Sequence, residues 1–100
     1  MSARSILSIT GDDRITFLQG ILTQDVTKLA EQKIQYAALL SPQGKILHDL
    51  FLIDEGERIL IDIASDQKEL FLRRLAMYKL RAKVSVSNIS EEHFMRVCEI

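Results

Sequence analysis

The alternation of polar and apolar positions changes period several times along the chain, and each change marks an element. Ser5-Ile6-Leu7-Ser8-Ile9-Thr10 is a short β-branched run closed by Gly11, which reads as a strand. From Ile15 the period lengthens: Ile15, Leu18 and Leu22 fall on one helical line, with Phe17 and Ile21 beside it. Asp12 or Asp13 would cap that helix by accepting from the free N–H groups of its first turn. It would stop near Thr23, because Thr23-Gln24-Asp25-Val26-Thr27 has no helical period. Gly20 lies inside the pattern at a cost of about 1 kcal/mol relative to Ala. A strand approaching the backbone there, or a fraying helix end, would account for it. Leu29 to Gln32 bridges to the next element.

The stretch from Lys33 to Asp54 predicts a β-hairpin. Two runs rich in Ile, Leu, Tyr and Phe flank Ser41-Pro42-Gln43-Gly44, in which proline presets one corner and glycine accepts a positive φ at the other. Glu55-Gly56-Glu57 makes a further turn. Arg58 to Ala64 then alternates Ile59, Ile61 and Ile63 against Leu60 and Asp62, as a half-buried antiparallel strand does. Ser65 or Asp66 would cap a second helix, with Asp66 and Glu69 placed as a capping box. That helix would run to about Leu80 and pack through Phe71, Leu72, Leu75, Ala76, Tyr78 and Lys79. Lys83 to Ser87 reads as a strand, Asn88 to His93 as a loop, and Phe94 to Ile100 as a last strand. The predicted order is β-α-β-β-β-α-β-β. It defines one α+β domain over residues 1–100, a mostly antiparallel sheet with two helices packed on it. The final alternation stops with no polar tail or cap, as expected of a piece cut from a longer chain.

Composition narrows the function classes. Hydrophobic residues make up 47% of the chain, enough for a core, and the net charge of −1 gives no electrostatic footprint for nucleic acid. Six aromatics and no tryptophan leave little for base-stacking platforms. Cys98 is the only cysteine, which excludes an internal disulfide and fits a reducing, cytoplasmic setting. No apolar run approaches the roughly 18 residues of a membrane span.

No self-sufficient catalytic motif is present: no GxGxxG, no P-loop and no HExxH. His48 and His93 lie on different elements and read as ordinary surface or sheet-edge histidines rather than metal ligands. Cys98, in an apolar strand with no cation beside it, reads as a small hydrophobe. Arg73, Arg74, Lys79, Arg81 and Lys83 gather about the C-terminal half of the second helix. There they complement its dipole, or alternatively form a site for phosphate, a polyglutamate tail or RNA.

Asp49 carries the sharpest question. If the hairpin pairs Ser41 with Ile46, Ala38 faces Asp49 and Tyr36 faces Phe51, so that Tyr36 and Asp49 are diagonal neighbours on one face. A carboxylate among Leu47, Phe51 and Ile53 is costly to bury without a hydrogen-bond donor, and a ligand would supply one. Alternatively Asp49 faces solvent, or a bulge turns it to the other face. The residues alone leave these readings standing.

Three segments resemble a known family. They are Gly11-Asp12-Asp13-Arg14-Ile15-Thr16-Phe17-Leu18-Gln19-Gly20, then Leu22-Thr23-Gln24-Asp25-Val26, then Ser41-Pro42-Gln43-Gly44-Lys45-Ile46-Leu47-His48-Asp49. Together they resemble the start of the folate-binding domain of the glycine-cleavage T-protein (aminomethyltransferase) and the YgfZ-type folate-binding proteins. Leu80-Arg81-Ala82-Lys83-Val84 is more similar to the YgfZ branch. The resemblance implies the N-terminal part of the T-protein-like folate-binding fold, with Tyr36 and Asp49 facing tetrahydrofolate or a one-carbon derivative. T-proteins carry an acidic pair where this chain has His48-Asp49, and the missing first acid argues against aminomethyl transfer. The implied function is a tetrahydrofolate-binding module that supports iron–sulfur protein assembly or repair. A T-protein-like transferase and a folate-dependent tRNA-modification module are the alternatives, and no residue is marked as catalytic. Family members are longer, and their folate cavity is enclosed by parts this chain lacks. The remainder of a longer chain or a homodimer partner would therefore complete the site, with iron–sulfur client proteins as further partners.

Overall fold

A computed structural model describes residues 3–89. Within them the order is β1 (Arg4–Thr10), α1 (Arg14–Ile21), a 3-10 turn (Val26–Lys28), α2 (Leu29–Gln32), β2 (Ile34–Leu40), β3 (Ile46–Glu55), β4 (Arg58–Ala64), a second 3-10 turn (Ser65–Gln67), α3 (Lys68–Lys79) and β5 (Ser85–Asn88). The strands form one antiparallel sheet in the order β2-β3-β4-β1-β5. β2 to β4 make the meander read from the sequence. β1 sits inside the sheet, between β4 and β5. The expected strand from Phe94 to Ile100 lies outside the described residues.

Alternation decides what each face buries. Ala37 and Leu39 of β2, Leu50 and Leu52 of β3, Ile59, Ile61 and Ile63 of β4, and Leu7 and Ile9 of β1 point toward the helices. There they meet Phe17, Leu18 and Leu22 from the first helical segment and Phe71 and Leu75 from α3. Val26 and Leu29 close the same core, which explains why the polar stretch after α1 folds back as short helical turns. Those turns were not expected. Thr23 to Lys33 shows no period because each turn anchors through one residue rather than through a repeating face.

Polar anchors hold this bridge in place. The Val26 N–H donates to Gln19 Oε1 at 2.6 Å, and Gln35 Nε2 donates to the Asp25 carbonyl at 2.7 Å. Asp25 accepts from the backbone and hydroxyl of Thr27, and the hydroxyl bond holds its carboxyl below the usual carboxylate value. The Thr23 N–H donates to the Ala38 carbonyl, and its Oγ1 accepts from the Ala38 N–H. Leu22 and Thr23 thus cover part of the β2 edge, which would otherwise present unpaired strand groups.

The helix caps differ from expectation. Asp13 precedes α1, but its side chain does not bond to the first turn. Its Oδ2 accepts from the Lys83 N–H, seventy positions away, at 2.8 Å. Ser65 and Asp66 likewise make no side-chain cap to α3, since Ser65 Oγ bonds Ser5 Oγ at 2.7 Å. Long-range tethering displaces the local cap in both places. Gly11 shows why glycine closes β1: its φ is +114°, and a Cβ there would lie 2.1 Å from the Lys83 carbonyl oxygen. Gly20 is the opposite case. A Cβ at that position meets nothing within 4 Å, so no strand approach explains it.

Candidate functional site

The hairpin places Tyr36 and Asp49 on the face turned away from the helices. Tyr36 pairs with Phe51 and Ala38 with Asp49, so the diagonal relation expected from the sequence holds. The loop end differs. Ser41 does not pair with Ile46; Leu40 does, and the register shift falls between Leu39 and Leu40. Such an irregularity adds a residue on one strand and can turn a side chain over. Here it lies beyond Asp49 toward the turn, so the face of Asp49 is kept.

The sheet is uncovered on this side over β2 and β3. Tyr36 is 52% exposed, with Ile34 and Phe51 exposed beside it, whereas Leu60 and Ile6 further across the sheet are buried. The Tyr36 hydroxyl donates to Asp49 Oδ2 at 2.7 Å. Its ring lies 5.2 Å from that of Phe51, tilted by 53°. The hydrogen bond to the carboxylate, followed by desolvation and the negative charge itself, raises the Tyr36 pKa above its ordinary value. Asp49 is therefore neither buried nor idle. One carboxylate oxygen orients the phenol, and Oδ1 carries no hydrogen bond among the described residues. An anionic acceptor beside two aromatic rings is suited to a flat heterocycle that presents N–H donors at its edge.

His48 sits next to Asp49 in sequence and on the other side of the sheet. It is 2% exposed, which corrects its reading as a surface or sheet-edge histidine. Arg74 Nε donates to its Nε2 at 3.2 Å, and its Nδ1 lies 3.1 Å from Gln67 Oε1. A guanidinium has only donors, so Nε2 accepts and Nδ1 carries the proton that bonds Gln67. The ring also meets Phe71 edge-on at 5.4 Å. The side chain at position 48 therefore lies on the opposite side of the sheet from Tyr36 and Asp49. Strand alternation alone carried this signal: with Asp49 outward, His48 must point in.

The basic set does not act as one group. Arg74 turns inward to His48, while Lys83 is bound through its backbone to Asp13. No group of three or more His, Cys, Asp or Glu suited to a metal ion occurs among the described residues. His93 and Cys98 lie outside them. Two clefts adjoin the helices. One is lined by residues including Phe17, Leu72 and Val84, the other by Gly20, Leu39 and Tyr78, and neither includes Tyr36 or Asp49. The Tyr36–Asp49 face is an open wall. No helix among the described residues is long and apolar enough to cross a membrane.

This architecture is shared with known proteins. The fold matches the crystal structure of the glycine cleavage system aminomethyltransferase T from Bartonella henselae with a TM-score of 0.80 at 20% identity, over 87% of this chain and 24% of that one. The chain belongs to the GCVT N-terminal domain family, whose model matches residues 1–97. Among curated proteins it is 32% identical over 90 residues to the mitochondrial iron-sulfur cluster assembly factor IBA57 homolog of Pyricularia oryzae. It is 33% identical over 103 residues to the protein of the same name in Coccidioides immitis. The alignments cover 86% and 88% of this chain but only 23% and 24% of those proteins, so the chain spans about a quarter of their length. Both names carry the word mitochondrial, so these relatives give no support to the cytoplasmic setting expected from the lone cysteine.

Proposed function

We propose that this domain is the N-terminal, folate-facing part of an iron–sulfur cluster assembly factor of the YgfZ type. In this reading Tyr36 and Asp49 form one wall of a tetrahydrofolate site. The observation that carries it is the Tyr36–Asp49 hydrogen bond on the uncovered face of the hairpin, beside Phe51, with Asp49 Oδ1 left free for a ligand donor. The names of the IBA57 relatives support the assembly role, and the family supports the choice of ligand.

The residues fit one edge of such a ligand. Asp49 would accept N–H groups of the pterin, Tyr36 would hold the carboxylate in place, and Phe51 would add apolar contact. Bound tetrahydrofolate would supply a carrier for one-carbon units, while this chain's part is to hold and orient it. A pocket for a ligand of that size normally encloses most of its surface. The open wall therefore needs a second wall from the remainder of a longer chain or from a homodimer partner.

Calorimetric titration of tetrahydrofolate into the full-length protein tests the site. Asp49→Ala removes a charge-assisted hydrogen bond and should weaken binding by about 10- to 100-fold, from roughly 1.5–3 kcal/mol. Equal affinity in wild type and variant would remove Asp49 from the site. A T-protein-like transferase would also turn over a one-carbon-loaded folate, so binding without turnover distinguishes the module from the enzyme.

A further inference from the structure

Helix α3 is apolar on two sides. Phe71 and Leu75 face the sheet, as an amphipathic helix requires. The opposite line should carry the solvated residues. Instead Leu70 and Met77, seven positions apart and hence on one stripe, are 47% and 70% exposed. Leu80 follows the last turn and is 87% exposed. Its φ of 42° lies in the left-handed region that usually selects glycine at a helix C-terminus, so a bulky side chain is held outward at some conformational cost.

The charges beside this stripe are mixed at its start, where Asp66 and Glu69 precede Leu70, and are all basic from Arg73 onward. Residues 70–89 contain Arg73, Arg74, Lys79, Arg81 and Lys83 and no Asp or Glu. Arg74 is committed to His48, but Arg73 stays exposed on the stripe and Arg81 just past its end. The ion pairs among the described residues, Arg4–Asp62, Lys33–Asp54 and Arg58–Glu55, use neither of them. The helix dipole explains cations near the last turn, but it does not explain leucine and methionine on the outermost line.

We propose that the exposed line of α3 made by Leu70, Arg73 and Met77, with exposed Leu80 and Arg81 just past its end, docks an acidic amphipathic segment of another protein. Its apolar residues would cover Leu70, Met77 and Leu80, and its carboxylates would meet Arg73 and Arg81. Charge complementarity selects this occupant. The apolar centre separates it from a polyanion such as RNA, which would need only the cations, and the surface is independent of the Tyr36–Asp49 face.

A photo-crosslinking amino acid at position 77 of the full-length protein, followed by mass spectrometric mapping of the crosslinked peptide, reads the occupant directly. The expected product is a segment of a different protein with Asp or Glu flanking apolar residues. That segment, synthesised and labelled, should bind the full-length protein by fluorescence anisotropy. Affinity should fall about tenfold or more in Arg73→Glu/Arg81→Glu and in Met77→Glu, and should weaken with added salt. Circular dichroism and unchanged tetrahydrofolate titration would show that these surface variants remain folded. Crosslinks to the same polypeptide, to a second copy, to RNA or to lipid would overturn the proposal. So would failure to crosslink, or peptide affinity that the charge reversals leave unchanged.

Discussion

The two faces of the hairpin are built from adjacent residues and follow different rules. On the inner face His48 is enclosed, and its two ring nitrogens are engaged by Arg74 and Gln67 while Phe71 closes over the ring. On the outer face the Asp49 carboxylate accepts from the Tyr36 hydroxyl, and its other oxygen has no hydrogen bond among the described residues. The histidine has completed its hydrogen bonds within the domain, although Gln35 Oε1 on the same face is buried without a partner among the described residues. The aspartate has spent only part of its capacity. A polar residue on a strand is thus informative about ligands only when its own fold has not already satisfied it.

The sharpest way to break the comparison is to exchange damage between the faces. Leu50→Ala, on the inner face with no exposure, should cost about 2–5 kcal/mol in urea unfolding. Phe51→Ala, one residue along and partly exposed, should cost roughly 1–2 kcal/mol. Equal costs would mean that the outer face is packed as tightly as the core.

A smaller effect is expected at His48. His48→Leu keeps the volume but leaves Arg74 Nε and Gln67 Oε1 without their partner, so stability should fall by about 1–3 kcal/mol. Tetrahydrofolate affinity in the full-length protein should be unchanged, because the side chain lies on the other side of the sheet. Loss of binding without loss of stability would reverse the assignment of the faces.

Asp49→Asn should leave stability within about 0.5 kcal/mol, as surface changes usually do. Its signature is spectroscopic. In the 100-residue domain carrying Tyr78→Phe, Tyr36 is the one tyrosine left to titrate, and absorbance near 295 nm should place its pKa above the ordinary value; Asp49→Asn should bring it back down. The linkage has a definite sign. The folded state favours the protonated phenol, so the contribution is fully present below the unfolded tyrosine pKa and is lost as pH rises through the raised folded value. An unchanged titration curve would show that the hydrogen bond does not persist in solution.

Much of the site could be read before any coordinates. The register that joins Tyr36 to Asp49 follows from period-two alternation, and it survives because the irregularity at Leu39/Leu40 falls on the turn side of the pair. What escaped the sequence depends on distant partners. Asp13 has the residue type and position of a local cap, and only the fold reveals that Lys83 takes its carboxylate. Histidine 48 gives no local hint of Arg74 or Gln67, which arrive from α3 and the turn before it. The helical turns between Thr23 and Lys33 were hidden because single anchors, Val26 and Leu29, do not make a period.

The position of β1 has a consequence for the order in which the chain can assemble. β2, β3 and β4 are joined by short turns and can pair as soon as they exist, since closing short loops costs little entropy. β1 precedes the other described strands, yet its neighbours in the sheet are the fourth and the fifth, and Gly11 and Asp13 are tied to Lys83. During synthesis β1 gains its β4 partner only once residues 58–64 have emerged, and its β5 partner only once residues 85–88 have. The edge between β1 and β5, with Gly11 and Asp13 held against Lys83, is the longest-range closure of the sheet and is expected to form after the meander.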